Sequence, residues 1–186
     1  MIVERSAPVF NQRGYAGTSM SELMAATGLE KGGLYRHFES KESLAAAAFD
    51  YAWEEVFNHR MRGLEACETS LEKLLLFLDN FVENPPRNLP GGCPLLNTAV
   101  DSDDGDPVLR ARAGAALDQL RNSLTEIICQ AQINGELREE IDGGAVSVIM
   151  ISALEGAVMM SRLKKSREPL RKVAEHLKQY LRSLRP

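Results

Sequence analysis

The segment Thr18–Lys41, with the sequence TSMSELMAATGLEKGGLYRHFESK, constrains the fold of this chain more than any other stretch. Ser19 and Glu22 stand at the spacing of a capping box, which predicts that a helix begins there. Gly28 is expected to end that helix, and residues 31–37 are expected to form a second short helix. Two short helices joined by a tight turn predict a helix-turn-helix motif, in which the second helix enters the major groove of DNA.

A wider set of residues supports this interpretation by order and spacing, and it consists of Phe10, Gly14, Tyr15, Thr18, Ser19, Gly28-Leu29, Lys31-Gly32, Leu34-Tyr35, His37-Phe38 and Lys41. Over residues 2 to about 50 the chain resembles the DNA-binding domain of TetR-family transcriptional regulators. A short helix with a basic end is by itself more typical of a solvated surface, so the specificity lies in the resemblance. It implies a helix-turn-helix DNA-binding domain over residues 1–46 and a helical effector-binding and dimerisation domain over residues 47–186.

The resemblance also assigns DNA contacts. Thr18 and Ser19 are expected to donate to phosphate, although plain helix capping explains Ser19 equally well. Lys31 is expected to reach a guanine or a phosphate, and Tyr35 and His37 are expected to donate to phosphate oxygens. The complete predicted set is Thr18, Ser19, Lys31, Gly32, Gly33, Tyr35, Arg36, His37 and Lys41.

Two positions in the recognition helix depart from the family pattern. Glu30 stands where relatives commonly have a small hydroxyl residue, and it adds a negative charge near the DNA. Gly33 stands where threonine, serine or alanine is common, and it lacks a side chain to touch a thymine methyl group. Gly32 and Gly33 each weaken a helix by about 1 kcal/mol relative to alanine. The motif is therefore expected to depend on phosphate contacts and to become firmly helical on DNA.

The rest of the chain has helical periodicity, and no segment alternates with a period of two, which predicts an all-α protein of about nine helices. Pro8 is expected to kink the first helix or to move its start to near Ala7. The predicted helices span residues 2–13, the helix-turn-helix, 40–62, 70 to Pro85-Pro86, 93–100, 106–134, 142–163, and a last helix that Pro169 opens.

The last two helices are predicted to form a homodimer interface. Ser152, Ala153, Gly156 and Ala157 would allow close approach of another helix, and the last helix has apolar residues at three-four spacing. A dimer would match a palindromic operator with two half-sites. The alternative is that the stripe packs within one subunit. The stripe comprises Leu170, Val173, Ala174, Leu177, Tyr180, Leu181 and Leu184.

Charge and composition restrict the class of protein. The net charge of −4 argues against general nucleic-acid affinity, but residues 160–186 hold nine basic and two acidic residues, and residues 1–45 are balanced. Attraction to phosphate is therefore local and salt-sensitive. Glu155 interrupts the apolar stretch Ala145–Leu163, which favours a buried helix over a membrane span. Three cysteines without a disulfide or metal spacing indicate a reducing cytoplasm.

Cys93 is the second candidate site. The sequence GGCP places its sulfur at the start of a short helix, where the dipole favours a thiolate, so a sensor of electrophiles or oxidants is one hypothesis. The other is a small buried residue in a sharp turn. A helical cysteine-dependent enzyme would need a general base beside the thiol, and the sequence does not indicate one.

No metal or cofactor pattern is predicted. The acidic run Asp101, Asp103, Asp104 and Asp106 lacks the frame of a calcium loop, because Asp106 stands where glycine is required and Arg112 where glutamate is required. The sequence therefore predicts a non-enzymatic DNA-binding regulator, a repressor released from its operator by an unidentified small molecule or by thiol modification. A helix-turn-helix that docks proteins is the remaining alternative.

Overall fold

The computed structural model describes residues 1–83, 89–102 and 104–186. Within these ranges the regular elements are nine α-helices and one 3-10 turn, Leu64–Ala66, and none is a strand, as predicted. The predicted end of a helix at Pro85-Pro86 lies outside the described residues. The helices are α1 (Ile2–Gly17), α2 (Met20–Thr27), α3 (Lys31–Tyr35), α4 (Lys41–Met61), α5 (Ser70–Val82), α6 (Pro94–Ser102), α7 (Pro107–Ile133), α8 (Gly143–Leu163) and α9 (Glu168–Ser183).

The helices form two compact units. The first unit comprises Met1–Phe57 and Pro85–Leu117, and the second comprises Asn58–Asn84 and Asp118–Pro186. α1, α2, α3 and α6 belong to the first unit, whereas α5, α8 and α9 belong to the second. α4 and α7 each begin in the first unit and end in the second. The N-terminal helices therefore share their unit with α6, a helix far along the chain.

The helix-turn-helix forms through the local signals of its sequence. Ser19 Oγ accepts a hydrogen bond from the backbone N–H of Glu22 at 3.3 Å, and a Glu22 carboxylate oxygen accepts from the Ser19 N–H at 2.9 Å, so the capping box is confirmed. Gly28 ends α2 with a left-handed φ of 72°. Ser40 Oγ accepts from the Ser43 N–H at 3.2 Å and caps α4. The core of the motif contains Leu23, Leu34 and Leu44.

α1 begins where the predicted helix 2–13 begins, and it extends past the predicted end to Gly17, with a break at Gly14. It begins at Ile2 and contains Pro8, so the alternative of a start near Ala7 is wrong. Ala7 and Phe10 are buried, and the packing of this face outweighs the single backbone hydrogen bond that Pro8 removes. Gly14 interrupts the regular helix with a φ of 74°, a conformation that favours glycine.

α6 is tied to α1 by a network of amide groups. Asn97 Nδ2 donates to both the backbone carbonyl and the side-chain oxygen of Asn11, at 3.0 Å each. Asn11 Nδ2 donates in turn to the carbonyls of Pro90 and Gly92. A side chain at Gly91 would place its Cβ 2.7 Å from the Asn11 carbonyl oxygen, so this approach requires glycine. These contacts place α6 and the turn before it in the first unit.

In the second unit, α5 has two sources of capping at its N-terminus. Thr69 and Glu72 form a capping box like that of α2. In addition, the carboxylate of Glu136 accepts hydrogen bonds from the N–H groups of Ser70 at 3.2 Å and Leu71 at 2.7 Å. A negative charge at a helix N-terminus also interacts favourably with the helix dipole. A distant loop therefore fixes the start of α5.

The last two helices pack against each other and leave one face of α8 exposed. The α9 stripe is directed into the chain's own core, with Leu170, Ala174, Leu177 and Leu181 buried. At these positions the structure favours the alternative in which the stripe packs within one subunit. Ala157 of α8 is also buried, whereas a side chain at Gly156 would meet open space. The exposed apolar side chains of α8, here called the α8 face, are Val148, Ile149, Met159, Met160 and Leu163.

α8 also contains a buried charge. By length and composition alone it is the one helix in the described ranges that qualifies as a membrane span. Its Glu155 Oε1 lies 3.3 Å from Arg60 Nη2, and the two side chains are 10% and 6% exposed. The Arg60 guanidinium also lies 3.8 Å from the centre of the Phe81 ring. α8 therefore presents its acidic residue to a partner inside the second unit.

Candidate DNA-binding surface

Most of the predicted DNA contacts lie on α3 and in the turn that follows it, because α3 ends at Tyr35 and not at residue 37 as predicted. Lys31, Tyr35, Arg36 and His37 are all exposed, whereas Leu34 between them is 2% exposed and anchors the helix. Two of the exposed side chains adjoin, since the Lys31 ammonium lies 5.9 Å from the centre of the Tyr35 ring. The phenol, imidazole, ammonium and guanidinium groups all donate hydrogen bonds. This composition suits phosphate oxygens and the acceptor edges of bases.

The two glycines of α3 differ in their surroundings. A Cβ at Gly32 would meet nothing within 4 Å, and the position is exposed. A Cβ at Gly33 would lie 3.5 Å from the Cβ of Leu29, which is ordinary contact. Neither backbone has the positive φ that would require glycine. Gly32 and Gly33 therefore leave two positions of α3 without side chains and do not serve a special backbone conformation.

Thr18 and Ser19 have different positions, although both precede α2. Thr18 is 2% exposed, and its hydroxyl donates to the Gly14 carbonyl at 2.6 Å. In this conformation the hydroxyl stabilises the turn between α1 and α2 and is not part of the exposed surface. Ser19 is exposed and caps α2, as one of the two interpretations of the sequence proposed.

Lys41, in the first turn of α4, is held by Tyr15. Its ammonium donates to the Tyr15 carbonyl at 2.7 Å and lies 4.4 Å from the centre of the Tyr15 ring. Two of the three ammonium hydrogens remain for other acceptors. Lys41 therefore has a defined position at the N-terminus of α4, where the backbone N–H groups and the helix dipole also favour an anion.

Tyr15 is fixed in turn by Glu42, whose carboxylate accepts a hydrogen bond from the Tyr15 hydroxyl. Burial, followed by this hydrogen bond and the charge of Glu42, raises the pKa of Tyr15 to about 12. The same hydrogen bond is the largest cause that lowers the pKa of Glu42 to about 2. At neutral pH the phenol is therefore protonated and the carboxylate is ionised.

The electrostatics of this surface are mixed. Glu30 and Glu39 are exposed, as are Lys31 and Arg36 in the same segment of the chain. Glu30 precedes α3, and its side chain makes no capping hydrogen bond. Positive charge on the motif is therefore local, at the lysines and Arg36.

Cys93 is not among the residues that the α3 surface brings together. It immediately precedes α6 and is 4% exposed. Its backbone carbonyl accepts the hydrogen bond from the Asn97 N–H that opens this helix. The predicted place at the start of a short helix is therefore found, and a reagent would reach the sulfur only after this turn opened. No disulfide involves Cys67, Cys93 or Cys129.

Two members of the acidic run, Asp101 in α6 and Asp106 before α7, have structural roles, and Asp103 lies outside the described residues. Asp106 accepts from the N–H groups of Val108 and Leu109 and caps α7. Asp101 accepts from the Tyr15 N–H at 2.7 Å. Sequence inspection did not connect Asp101 with Tyr15, because 86 positions separate them and no short motif contains both.

Comparison with known proteins identifies the family. Residues 2–48 match the family model described as bacterial regulatory proteins of the tetR family, and residues 70–177 match the tetracyclin repressor-like C-terminal domain. The chain belongs to the TetR family of transcriptional regulators. The resemblance of the helix-turn-helix sequence to this family is thereby confirmed, and so is the expected all-helical fold with an N-terminal helix-turn-helix and a C-terminal helical domain.

Individual relatives agree along nearly the whole chain. A TetR transcriptional regulator from Chloroflexus aurantiacus J-10-FL is 45% identical, with a TM-score of 0.92 over 97% of this chain and 91% of that one. The HTH-type transcriptional repressor DhaR of Mycobacterium sp. strain GP1 is 26% identical over 171 residues, 91% of this chain and 84% of DhaR.

A third relative was solved with DNA. It is a cysteine mutant of the TetR-family regulator CifR in complex with a 26-base-pair double-strand operator. CifR is 22% identical to this chain, with a TM-score of 0.84 over 96% of this chain and 93% of that one, so the likeness shows a shared fold.

Proposed function

We propose that this TetR-family regulator is a repressor that binds a palindromic operator as a homodimer and leaves it when a small molecule binds. The observation that carries the proposal is a set of exposed donor side chains on α3 and the turn after it, in a capped helix-turn-helix that buries Leu34. The set is Lys31, Tyr35, Arg36 and His37. Residues 1–46 form its DNA-binding domain in this proposal, and residues 47–186 bind the effector and dimerise. The regulator acts on DNA in the cytoplasm and has no enzymatic role.

The α8 face supports the dimer. Ile149, Met159 and Leu163 are about half exposed or more, which is unusual for large apolar side chains on one helix. Open space at Gly156 allows a second helix to approach closely. A two-fold dimer would present two copies of α3, and half-sites about one turn of DNA apart, roughly 34–36 Å, would accept both. Replacing Ile149 with glutamate is expected to yield monomers with weak operator affinity, measurable by sedimentation and gel shift.

In this proposal the effector binds in the domain of residues 47–186, and α4 connects the helix-turn-helix to that domain. α4 begins with the proposed phosphate contact Lys41 and ends beside the buried pair of Arg60 with Glu155. A ligand that moved the end of α4 would change the orientation of the recognition helices in the dimer. Burial of Cys93 favours a non-covalent ligand over thiol modification. If Cys93 is the sensor, replacing it with serine will abolish release by electrophiles.

Operator binding is tested by fluorescence anisotropy with the DNA upstream of the chain's own gene. Replacing His37 with alanine is expected to weaken binding, whereas replacing the exposed His176 of α9 with alanine provides a matched control without effect. Replacing Lys31 with alanine is expected to reduce the slope of log K against log salt by about 0.9 if it contacts one phosphate. Folded wild-type protein that shows no binding at low salt would refute the proposal.

A further inference from the structure

The break at Gly14, near the end of α1, is shaped by a residue from α6. Asp101 Oδ2 accepts the hydrogen bond of the Tyr15 N–H at 2.7 Å. The same carboxylate fills the space beside Gly14, where a Cβ would lie 2.9 Å from Asp101 Oδ1. Gly14 thus has two reasons to be glycine, its positive φ of 74° and the close approach of this carboxylate. The amide contact between Asn97 and Asn11 holds α6 in the position that this requires.

Tyr15 links Asp101 to a proposed DNA contact. Its N–H is held by Asp101, while its carbonyl accepts from the Lys41 ammonium at 2.7 Å and its ring lies under the same ammonium. Its hydroxyl is held by Glu42. The orientation of the Tyr15 peptide groups is therefore set from α6, and the position of Lys41 follows from that of Tyr15.

We infer that Asp101 is a positioning residue for operator binding: through the Tyr15 backbone, it fixes the Lys41 ammonium for a phosphate. The inference rests on the proposed function. Asp101 lies outside the helix-turn-helix sequence and touches no part of α3 in the hydrogen bonds described. It acts through one side-chain oxygen, which accepts the hydrogen bond from the Tyr15 N–H near the end of α1.

Whether loss of Asp101 weakens or strengthens operator binding distinguishes a positioning role from general electrostatics. Removal of any acidic residue from a DNA-binding protein reduces repulsion of phosphate and should strengthen binding slightly. Removal of a positioning acceptor should weaken binding, because Lys41 loses its fixed place. If the phosphate contact of Lys41 is lost completely, the slope of log K against log salt falls by about 0.9, which corresponds to roughly an eightfold loss at 0.1 M salt.

The experiment compares three variants of the full chain by anisotropy over a salt series. Replacing Asp101 with alanine is expected to weaken operator binding up to about eightfold and to flatten the salt slope. Replacing Asp101 with asparagine retains an acceptor for the Tyr15 N–H, so the operator affinity is expected to equal or exceed that of the wild type. Replacing Asp104 with alanine removes the same charge from a nearby exposed position and is expected to leave binding unchanged or slightly tighter.

A double variant then tests the route through Lys41. With Lys41 replaced by alanine, the additional Asp101→Ala change is expected to alter affinity less than twofold. Faster amide exchange at Tyr15 in Asp101→Ala, with an unchanged circular dichroism spectrum, would confirm local loosening in a folded protein. Equal affinity of Asp101→Ala and Asp104→Ala would overturn the inference, as would an undiminished effect in the Lys41→Ala background. No binding by the wild type would instead overturn the proposed function, and the inference with it.

Discussion

The buried pair of Arg60 and Glu155 predicts a specific pattern of stability in a double-mutant cycle. The cycle consists of Glu155→Leu, Arg60→Met and the double variant. Leucine and methionine keep much of the side-chain volume, so the cycle tests charge more than packing. Arg60 also lies over the Phe81 ring, a contact that is lost in both variants lacking Arg60 and therefore cancels in the coupling energy.

The expected magnitude follows from the geometry. Two unit charges at 3.3 Å attract by about 5 kcal/mol at an effective dielectric constant of 20, before the cost of removing them from water is counted. Because the side chains are only 6% and 10% exposed, the cost of removing the charges from water is large, and their mutual attraction offsets it. Removing one partner leaves a buried charge and should cost about 3–5 kcal/mol, whereas removing both should be close to neutral.

Urea denaturation followed by circular dichroism measures these differences as changes in midpoint at constant slope. Each single variant should lose about 3–5 kcal/mol of the free energy of unfolding, and the double variant should recover most of it. Addition of the two single losses in the double variant would show that the charges do not interact, and would refute the interpretation of α8 as a helix held by this pair.

Two further predictions concern helix ends. Gly32→Ala should raise the melting temperature by about 2–4 °C, since a Cβ meets open space and alanine favours the helix by about 1 kcal/mol, whereas Gly28→Ala should lower it because of the φ of 72°. Glu136→Gln should lower the free energy of unfolding by about 1 kcal/mol at pH 7 and speed amide hydrogen exchange at Ser70. Burial opposes ionisation of Glu136, but the hydrogen bonds from Leu71, Asn134 and Ser70 lower its pKa overall. The stabilisation by the ionised carboxylate is therefore fully present above the ordinary carboxyl pKa, and it is lost as the pH falls through the lowered pKa.

Helix boundaries were predictable because their signals are local. Ser19, Gly28, Ser40 and Asp142 each act within a few residues, and each caps or ends the helix that the sequence assigns to it. The exposed positions of α3 were predictable for a related reason: the periodicity that buries Leu34 also fixes which neighbours project outward. One local signal was overlooked, the capping box of Thr69 with Glu72.

Contacts between distant segments were not predictable in this way. Thr18 has a hydroxyl suited to phosphate, and only the fold shows that it is buried against the Gly14 carbonyl. Glu155 was recognised as an interruption of an apolar stretch, but its partner Arg60 is 95 positions away. A single residue's chemistry indicates that it needs a partner, and it does not say which of many distant groups supplies one.

The apolar stripes of α8 and α9 illustrate a further limit, because periodicity identifies an apolar face and not what covers it. The more regular stripe, in α9, is buried within the subunit, while the less regular α8 face is exposed.

α4 extends from the proposed phosphate contact Lys41 to the buried pair of Arg60 with Glu155. Its 21 residues, which correspond to about 31 Å of helix, contain neither proline nor glycine, the usual sites of kinks. α7, the other helix shared by both units, contains Gly114 in open surroundings. Of the two shared helices, α4 therefore has the fewer sites at which a bend is expected. In the proposed function, a ligand that moves the Arg60 end of α4 acts on Lys41 at the other end, which is the contact that we infer Asp101 to position through Tyr15.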